Sequence, residues 1–386
     1  MPERQLIYLN NAATSYPKPD EVKEAVLDAM SHPVFGSGRT AGTEGTDYIS
    51  LSRERLAKLF HADENICFTH NATDSLNILI SGFLAMHKGC HVLTTELDHN
   101  SALRPLHEHA ACGDCTYTAV PFDTETGKVS PDSLADAACK DTKLAVISHA
   151  GNVLGTSQDL KAITKRLHEE GVFVIADGAQ SAGHLPVDVK DLGIDAFVFT
   201  GHKGLFGITG TGGFWLADAE EIAQTRFGGT GSYSQELTQP KSMPERFECG
   251  TQNYVGLAAL AAGVSYVQKR GIDSIHKQGI RQSSAIIREL ENEDSIHLLC
   301  KSPDVPIISF TIDGIDADDA GFILSRRFGI VCRTGLHCAP LVHKRLTNGQ
   351  SSIRLSLSAL TTDDEVKAAA DAVLEAAHAS SLLHSA

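Results

Sequence analysis

Lys203 stands in the segment 199–204 (FTGHKG), a turn of small residues directly after a short apolar run. A lysine so placed can be partly desolvated, which leaves its amine neutral and able to attack an aldehyde. A surface lysine in a turn has the same local sequence. Asp177 closes the apolar run 172–176 (VFVIA). A carboxylate at the end of a buried strand is costly unless paired. A protonated ring nitrogen is one such partner, and capping of the next helix is another use. Residues 71–75 (NATDS) lie between a strand-like and a helical segment. They can offer N–H groups and a hydroxyl to a phosphate, or simply cap the helix. Cys338 lies in the loop 333–340 (RTGLHCAP) beside Arg333 and His337. Nearby positive charge favours a thiolate, and a small incidental cysteine is the plainer alternative.

The elements that must carry these residues follow from the apolar pattern. Residues 144–147 (LAVI), 172–176 (VFVIA), 196–199 (AFVF) and 213–216 (GFWL) are short apolar runs with strand character. Residues 160–171 have helical spacing and end on Gly171, a helix stop. Apolar strands separated by helices predict a mixed, mostly parallel sheet covered by helices on both faces. Ligands of such sheets sit at the carboxyl ends of the strands. Beyond residue 256 the pattern changes. A long helix (LAALAAGVSYVQKR) precedes strand-like PIISFTI, helical DDAGFILSRRFG, strand-like IVC, the loop RTGLHCAP, strand-like SSIRLSLS and a closing helix from Asp363. This predicts an N-terminal segment 1–20 packed with the small domain, a large domain 21–258, and a smaller α+β domain 259–386 carrying the cysteine loop.

Composition narrows the function classes. The 386 residues are 42% hydrophobic and 21% charged, which is ordinary for a globular protein. A formal net charge of −15 argues against nucleic acid or an anionic membrane as partner. The apolar runs 78–84 and 172–176 are too short to span a bilayer, and the N-terminus lacks the pattern of a signal peptide. Nine scattered cysteines predict reduced thiols in the cytoplasm. Cys112 and Cys115 form a CxxC that reads as a turn. No second pair stands at zinc-ligand spacing, so no metal is expected.

The ordered motifs carry a resemblance. YLNNAATSYPKP, NATDSLN, ELDHNSALRP, SHAGNVLGT, ADGAQSAGHLPVDV, FTGHKGLFG, RFECGTQN, RTGLHCAP and SIRLSLS run nearly end to end. In this order the chain resembles the class V aminotransferase family of fold-type I pyridoxal 5′-phosphate (PLP) enzymes, and most closely its cysteine desulfurase and selenocysteine lyase branch. The resemblance implies that Lys203 holds PLP as a Schiff base. It puts Asp177 on the pyridine nitrogen, Gln180 near the phenolic oxygen, and His99 stacked on the ring as a proton shuttle. Ala72, Thr73, Thr200 and His202 match the phosphate cup. Thr251 matches a phosphate contact given by the other subunit, which implies a homodimer. Asn152 and Arg354 match the clamp on the substrate carboxylate, for which a planar guanidinium is suited. Arg333 lines the site, and Cys338 matches the sulfur-accepting cysteine.

The implied reaction converts L-cysteine to L-alanine and leaves a persulfide on Cys338. A compact cysteine loop implies that a separate acceptor protein collects the sulfur. Selenocysteine lyase, a β-lyase and an aminotransferase or epimerase are alternatives with the same cofactor. A scaffold without catalysis is a further one, against which stand Lys203, Asp177, His99, Cys338 and Arg354 together. Two positions depart from the family pattern. Ile208 replaces a frequent proline after the lysine loop, and Cys249 replaces a frequent alanine near the expected subunit boundary.

Overall fold

The computed structural model describes residues 6–34 and 45–384. The first five residues of the expected N-terminal segment lie outside them. Strands β1 to β8 are Ile7–Tyr8, Ile66–Thr69, Cys90–Thr95, Cys115–Val120, Thr142–Ser148, Phe173–Asp177, Ala196–Thr200 and Gly212–Leu216. All but β1 form one seven-stranded sheet in the order β2-β8-β7-β6-β5-β3-β4. Strands β3 to β7 run parallel, while β8 is antiparallel to both its neighbours, β7 and β2. The chain therefore has the α/β architecture with a mixed, mostly parallel sheet.

Strands β5, β6 and β7 are buried over nearly their whole length. Their alternate side chains feed two different cores, as a sheet covered on both faces requires. Ile147, Ala176 and Phe197 pack with Leu160, Ile163 and Leu167 of helix Leu160–Glu169. Val146, Ile175 and Val198 pack with Leu76, Leu79 and Phe83 of helix Ala72–Met86. Each fully buried aliphatic or aromatic side chain contributes about 1.5–3 kcal/mol, so the sheet is a rigid platform for its polar edge.

Strands β9 to β13 are Ile296–Leu298, Ile307–Ile312, Ile330–Val331, Arg333–Gly335 and Ser352–Ser356. Four of these form an antiparallel sheet in the order β12-β13-β10-β9. Helices Ile272–Leu290, Ala317–Phe328 and Asp363–His384 supply the rest of a separate core that includes Ile286, Leu290, Phe310, Leu324, Leu355 and Val373. The long helix expected after residue 256 is Tyr254–Arg270. It stops at Gly271, whose φ is +81°, before the next helix begins. The segment 333–340 is not a loop throughout. Arg333–Gly335 is a strand paired with β13, with Arg333 opposite Arg354. Three residues ending on a glycine give too short a pattern to read as a strand.

Strand β1 belongs to this second region, pairing in parallel with β11, Ile7 opposite Ile330. The chain then crosses to the large sheet. Asn11 N donates to Ser356 O at 3.3 Å, and Ser15 N donates to His202 O at 2.9 Å. Among the described residues no helix is long and apolar enough to cross a membrane.

Candidate active site

The carboxyl ends of β5, β6 and β7 bring Ser148, Asp177 and Thr200 to one edge of the sheet, with Ser148 opposite Asp177. A cavity of about 310 Å³ lies over this edge. Asp177, Gln180, Thr200, His202 and Lys203 line its floor side, and Ala72, Thr73 and His99 also line it. Asn152, Arg333 and Arg354 complete the wall, and the last two come from β12 and β13. Cys338 lines an adjoining groove of about 470 Å³ that shares Thr73, His99 and Ser101 with the cavity. Thr251 is the one expected residue that stands elsewhere. It is exposed at a separate depression with His70, Asp74 and Arg226.

The lysine loop is fixed through one carbonyl. His202 O accepts from Ser15 N at 2.9 Å, and from Thr14 Oγ1, Ser15 Oγ and Lys18 Nζ at 3.1 Å each. Gly204 packs against the turn after Asp177 so closely that a Cβ there would meet Ala182 O, and a Cβ on Gly183 would meet Gly204 O. The two small residues are therefore what lets the lysine loop and the acid turn touch. Lys203 is partly open to the cavity, yet burial depresses its amine to about 8, opposed by Asp177 and helped by Arg354 and Arg333. Burial pushes the Asp177 carboxyl up, against an N–H bond from Ala179 at 2.9 Å and the charge of Lys203. The same desolvation drives both groups toward their neutral forms.

His99 caps helix Asn100–Ala111, its Nδ1 accepting from Ser101 N at 3.0 Å. A backbone N–H can only donate, so this bond assigns the ring proton to Nε2. Burial, with Lys203, Arg333 and Arg354 nearby, lowers its pKa to about 4. The ring is neutral at pH 7 and carries its one N–H at Nε2.

Arg354 is fully buried. Its Nη1 donates to Asn152 O at 2.9 Å, its Nη2 lies 3.5 Å from Asn10 Oδ1, and its Nε has no hydrogen-bond partner among the described residues. Burial and Arg333 lower its pKa to about 9. Like charges directly opposite on paired strands repel, so the Arg333–Arg354 pair suits an anionic ligand. Arg333 Nη2 also lies 3.6 Å from Cys338 Sγ.

Asp98 escaped the sequence reading. It is fully buried and accepts from Thr94 Oγ1 at 2.9 Å, Thr95 Oγ1 at 2.8 Å, and the N–H groups of Thr95 and Ser148 at 2.6 Å each. It ties the ends of β3 and β5 together next to His99. The run Thr94-Thr95 three residues upstream was the available signal, since a short acid after paired threonines can close such a turn. Lys18 and Asn10, now seen at the lysine loop and at Arg354, carried no comparable signal. The CxxC is a turn at 112–114 that enters β4 at Cys115, and all nine cysteines are free, Cys112 exposed and Cys115 buried.

PLP fits this site on the structure's own terms. Asp177, a buried acid lining the cavity, suits a protonated ring nitrogen. Among the described residues, buried Thr200 Oγ1 and His202 Nδ1 lack hydrogen-bond partners beside the first turn of helix Ala72–Met86, which suits a phosphate. A mixed α/β sheet with a depressed lysine and a buried acid at its carboxyl edge defines a fold-type I PLP enzyme. The family pattern described as Aminotransferase class-V matches residues 7–369, and the chain belongs to that family. Similar curated relatives are a probable cysteine desulfurase of Methanothermobacter thermautotrophicus and a cysteine desulfurase of Cronobacter sakazakii. Each is 31% identical; the first match covers 94% of this chain and 93% of the relative, the second 94% and 91%. The solved apo structure of a cysteine desulfurase from Thermococcus onnurineus NA1 superposes with a TM-score of 0.86 at 28% identity. That match covers 97% of this chain and 95% of the other.

Proposed function

We propose that this chain is a PLP-dependent cysteine desulfurase that takes sulfur from L-cysteine onto Cys338. The observation that carries the reading is the meeting of Cys338 Sγ with Arg333 at 3.6 Å, beside a cavity that holds a depressed lysine and a buried arginine. When bound, PLP supplies an electron sink for the pair left as the α-proton departs. Lys203 would hold it through its amine, Asp177 and Gln180 would face the ring, and Ala72, Thr73, Thr200 and His202 would hold its phosphate.

The protein's own groups do the rest. Arg354, with Asn152 beside it, orients the substrate carboxylate. Lys203 Nζ, its amine lowered to about 8 by burial, is suited to accept the α-proton as a base. Cys338 attacks the substrate sulfur as a thiolate. A sulfur–sulfur bond forms on Cys338 as the substrate's carbon–sulfur bond breaks, and protons returned to the carbon skeleton give alanine. His99, neutral with its proton on Nε2, is suited to packing on the ring and donating a hydrogen bond. The base role falls to Lys203.

The test is alanine and sulfide release from L-cysteine with a thiol reductant, with L-selenocysteine in parallel. Cys338→Ala is expected to lose cysteine turnover by roughly 10²-fold or more, the scale of a lost nucleophile. Selenocysteine turnover should persist, because a selenol leaves more readily. If cysteine is inert in the intact enzyme while selenocysteine is consumed with or without Cys338, selenocysteine lyase replaces the desulfurase reading.

Two separate cores support a division into two domains. Leu260 and Val264 of helix Tyr254–Arg270 pack in the first core, and beyond β1 the second takes up the chain only at Ile286. The boundary is therefore proposed near Gly271 rather than at residue 258. A homodimer is proposed because Thr251 is exposed away from the cavity of its own chain, where a contact to a partner's phosphate would come from. Sedimentation of the holoenzyme is expected to give twice the chain mass; a monomer with full cofactor content would sink this reading. Nine free cysteines support a reducing, cytoplasmic setting, and an acceptor protein for the persulfide belongs to the same proposal.

A further inference from the structure

The turn that carries Cys338 is held from beneath by side chains whose hydrogen bonds run in one direction. His337 and Cys338 are consecutive residues with φ of 51° and 59°, the left-handed region that L side chains rarely adopt. Such a turn persists only when its surroundings impose it. Ala339 N donates to Leu336 O at 2.9 Å and closes it. Other elements take its carbonyls: Asn152 Nδ2 donates to His337 O at 2.6 Å, and Asn100 N to Cys338 O at 2.8 Å.

Beneath the turn, Ser352 Oγ lies 3.1 Å from His337 Nε2 and 2.9 Å from His343 Nε2. His343 Nδ1 lies 3.1 Å from Ala339 O. A carbonyl only accepts, so His343 carries its proton on Nδ1 and its Nε2 is bare. Ser352 must then donate its hydroxyl proton to His343 and accept from His337 Nε2. The direction of every bond is thereby fixed. His337 is 2% exposed, and His343 and Ser352 are not exposed at all, so no water competes for these bonds. Burial keeps both imidazoles neutral, with His337 pushed down to about 2.

We propose that Ser352 and His343 are positioning residues for Cys338, acting through His337 to hold its left-handed turn. The inference rests on the desulfurase reading for its kinetic consequence. The turn aims Sγ at Arg333 and the substrate sulfur; neither Ser352 nor His343 lines the cavity or touches the reacting atoms. Reactions that need Cys338 should therefore suffer, and those that do not should be spared.

The experiment compares holoenzymes of Ser352→Ala, His343→Leu and His343→Gln. Losing one buried hydrogen bond that holds the turn is expected to lower kcat for L-cysteine roughly tenfold. KM, the cofactor's visible absorption and selenocysteine turnover should stay within about twofold of the parent. Alkylation of Cys338 by iodoacetamide, followed on its peptide, should change at least about threefold once the turn is released. His343→Gln keeps an acceptor at the position of Nε2 and should recover most of the loss seen in His343→Leu. An unchanged cysteine kcat and alkylation rate in Ser352→Ala, or an equal fall with both substrates, overturns the proposal. Should Ser352→Ala fail to load cofactor, equal turnover in the two His343 variants overturns it instead. If Cys338→Ala still consumes cysteine, the desulfurase reading has failed, and the alkylation rates still decide the clamp.

Discussion

Lys203→Ala is expected to remove the visible absorption of bound cofactor and to lower turnover by roughly 10⁴-fold or more, because the proposed anchor and base are lost together. The loop itself should survive. His202 O keeps its bonds from Thr14, Ser15 and Lys18 whatever side chain follows. Circular dichroism should therefore match that of the parent. A companion result concerns pH. Burial sets the Lys203 amine at about 8, and only the neutral amine reacts with an aldehyde. Uptake of added PLP by the cofactor-free protein should slow about tenfold per unit below pH 8 and level off above it. A lysine at its ordinary value would keep gaining speed to beyond pH 10. Uptake that still rises steeply between pH 9 and 10 would show that the amine is not depressed.

Arg354→Met should separate binding from stability. The groups acting electrostatically on Arg354 are Arg333, Cys338 and Tyr8, with no carboxylate among them. A buried cation without a counter-charge destabilises the fold that holds it. In the proposed reading the substrate carboxylate supplies what is missing, and a charge-assisted bond of this kind contributes about 1.5–3 kcal/mol. KM for L-cysteine should rise roughly 10- to 100-fold. The ligand-free variant should be no less stable than the parent, and by up to about 1–4 kcal/mol more so. The lost bond to Asn152 O works the other way. Thermal unfolding with and without L-alanine reads both effects. The parent should be shifted upward by the amino acid and the variant should not. A variant that unfolds well below the parent while keeping its KM would assign Arg354 to the core rather than to the substrate.

The sequence announced the strands that carry chemistry because they are buried on both faces, so that a polar residue at their ends stands out. Asp177 after VFVIA and Thr200 after AFVF are of this kind. Lys203 and Cys338 were legible as residues of the right type in the right turns, but only the ordered family motifs linked them. Short or partnered elements were less visible. Three residues of β12 hold Arg333 opposite Arg354, and no periodicity can be read from three residues. A single residue separates the helix Ile272–Leu290 from the one before it, so the apolar pattern is nearly unbroken and only Gly271 marks the border. The hydrogen bonds among His337, Ser352 and His343 join residues up to fifteen apart in the chain. Histidine and serine are common enough that spacing alone says nothing.

The path of the first strand has a consequence for how the protein is made. Ile7 and Leu9 leave the ribosome long before their partners Ile330, Val331 and Ser356. The residues that follow them, Thr14 to Lys18, are the ones that grip the carbonyl of His202. The large sheet can assemble on the nascent chain well before that grip is in place. The lysine loop reaches its final shape only after residues 330–356 have been made, so cofactor capture should follow the folding of the second region.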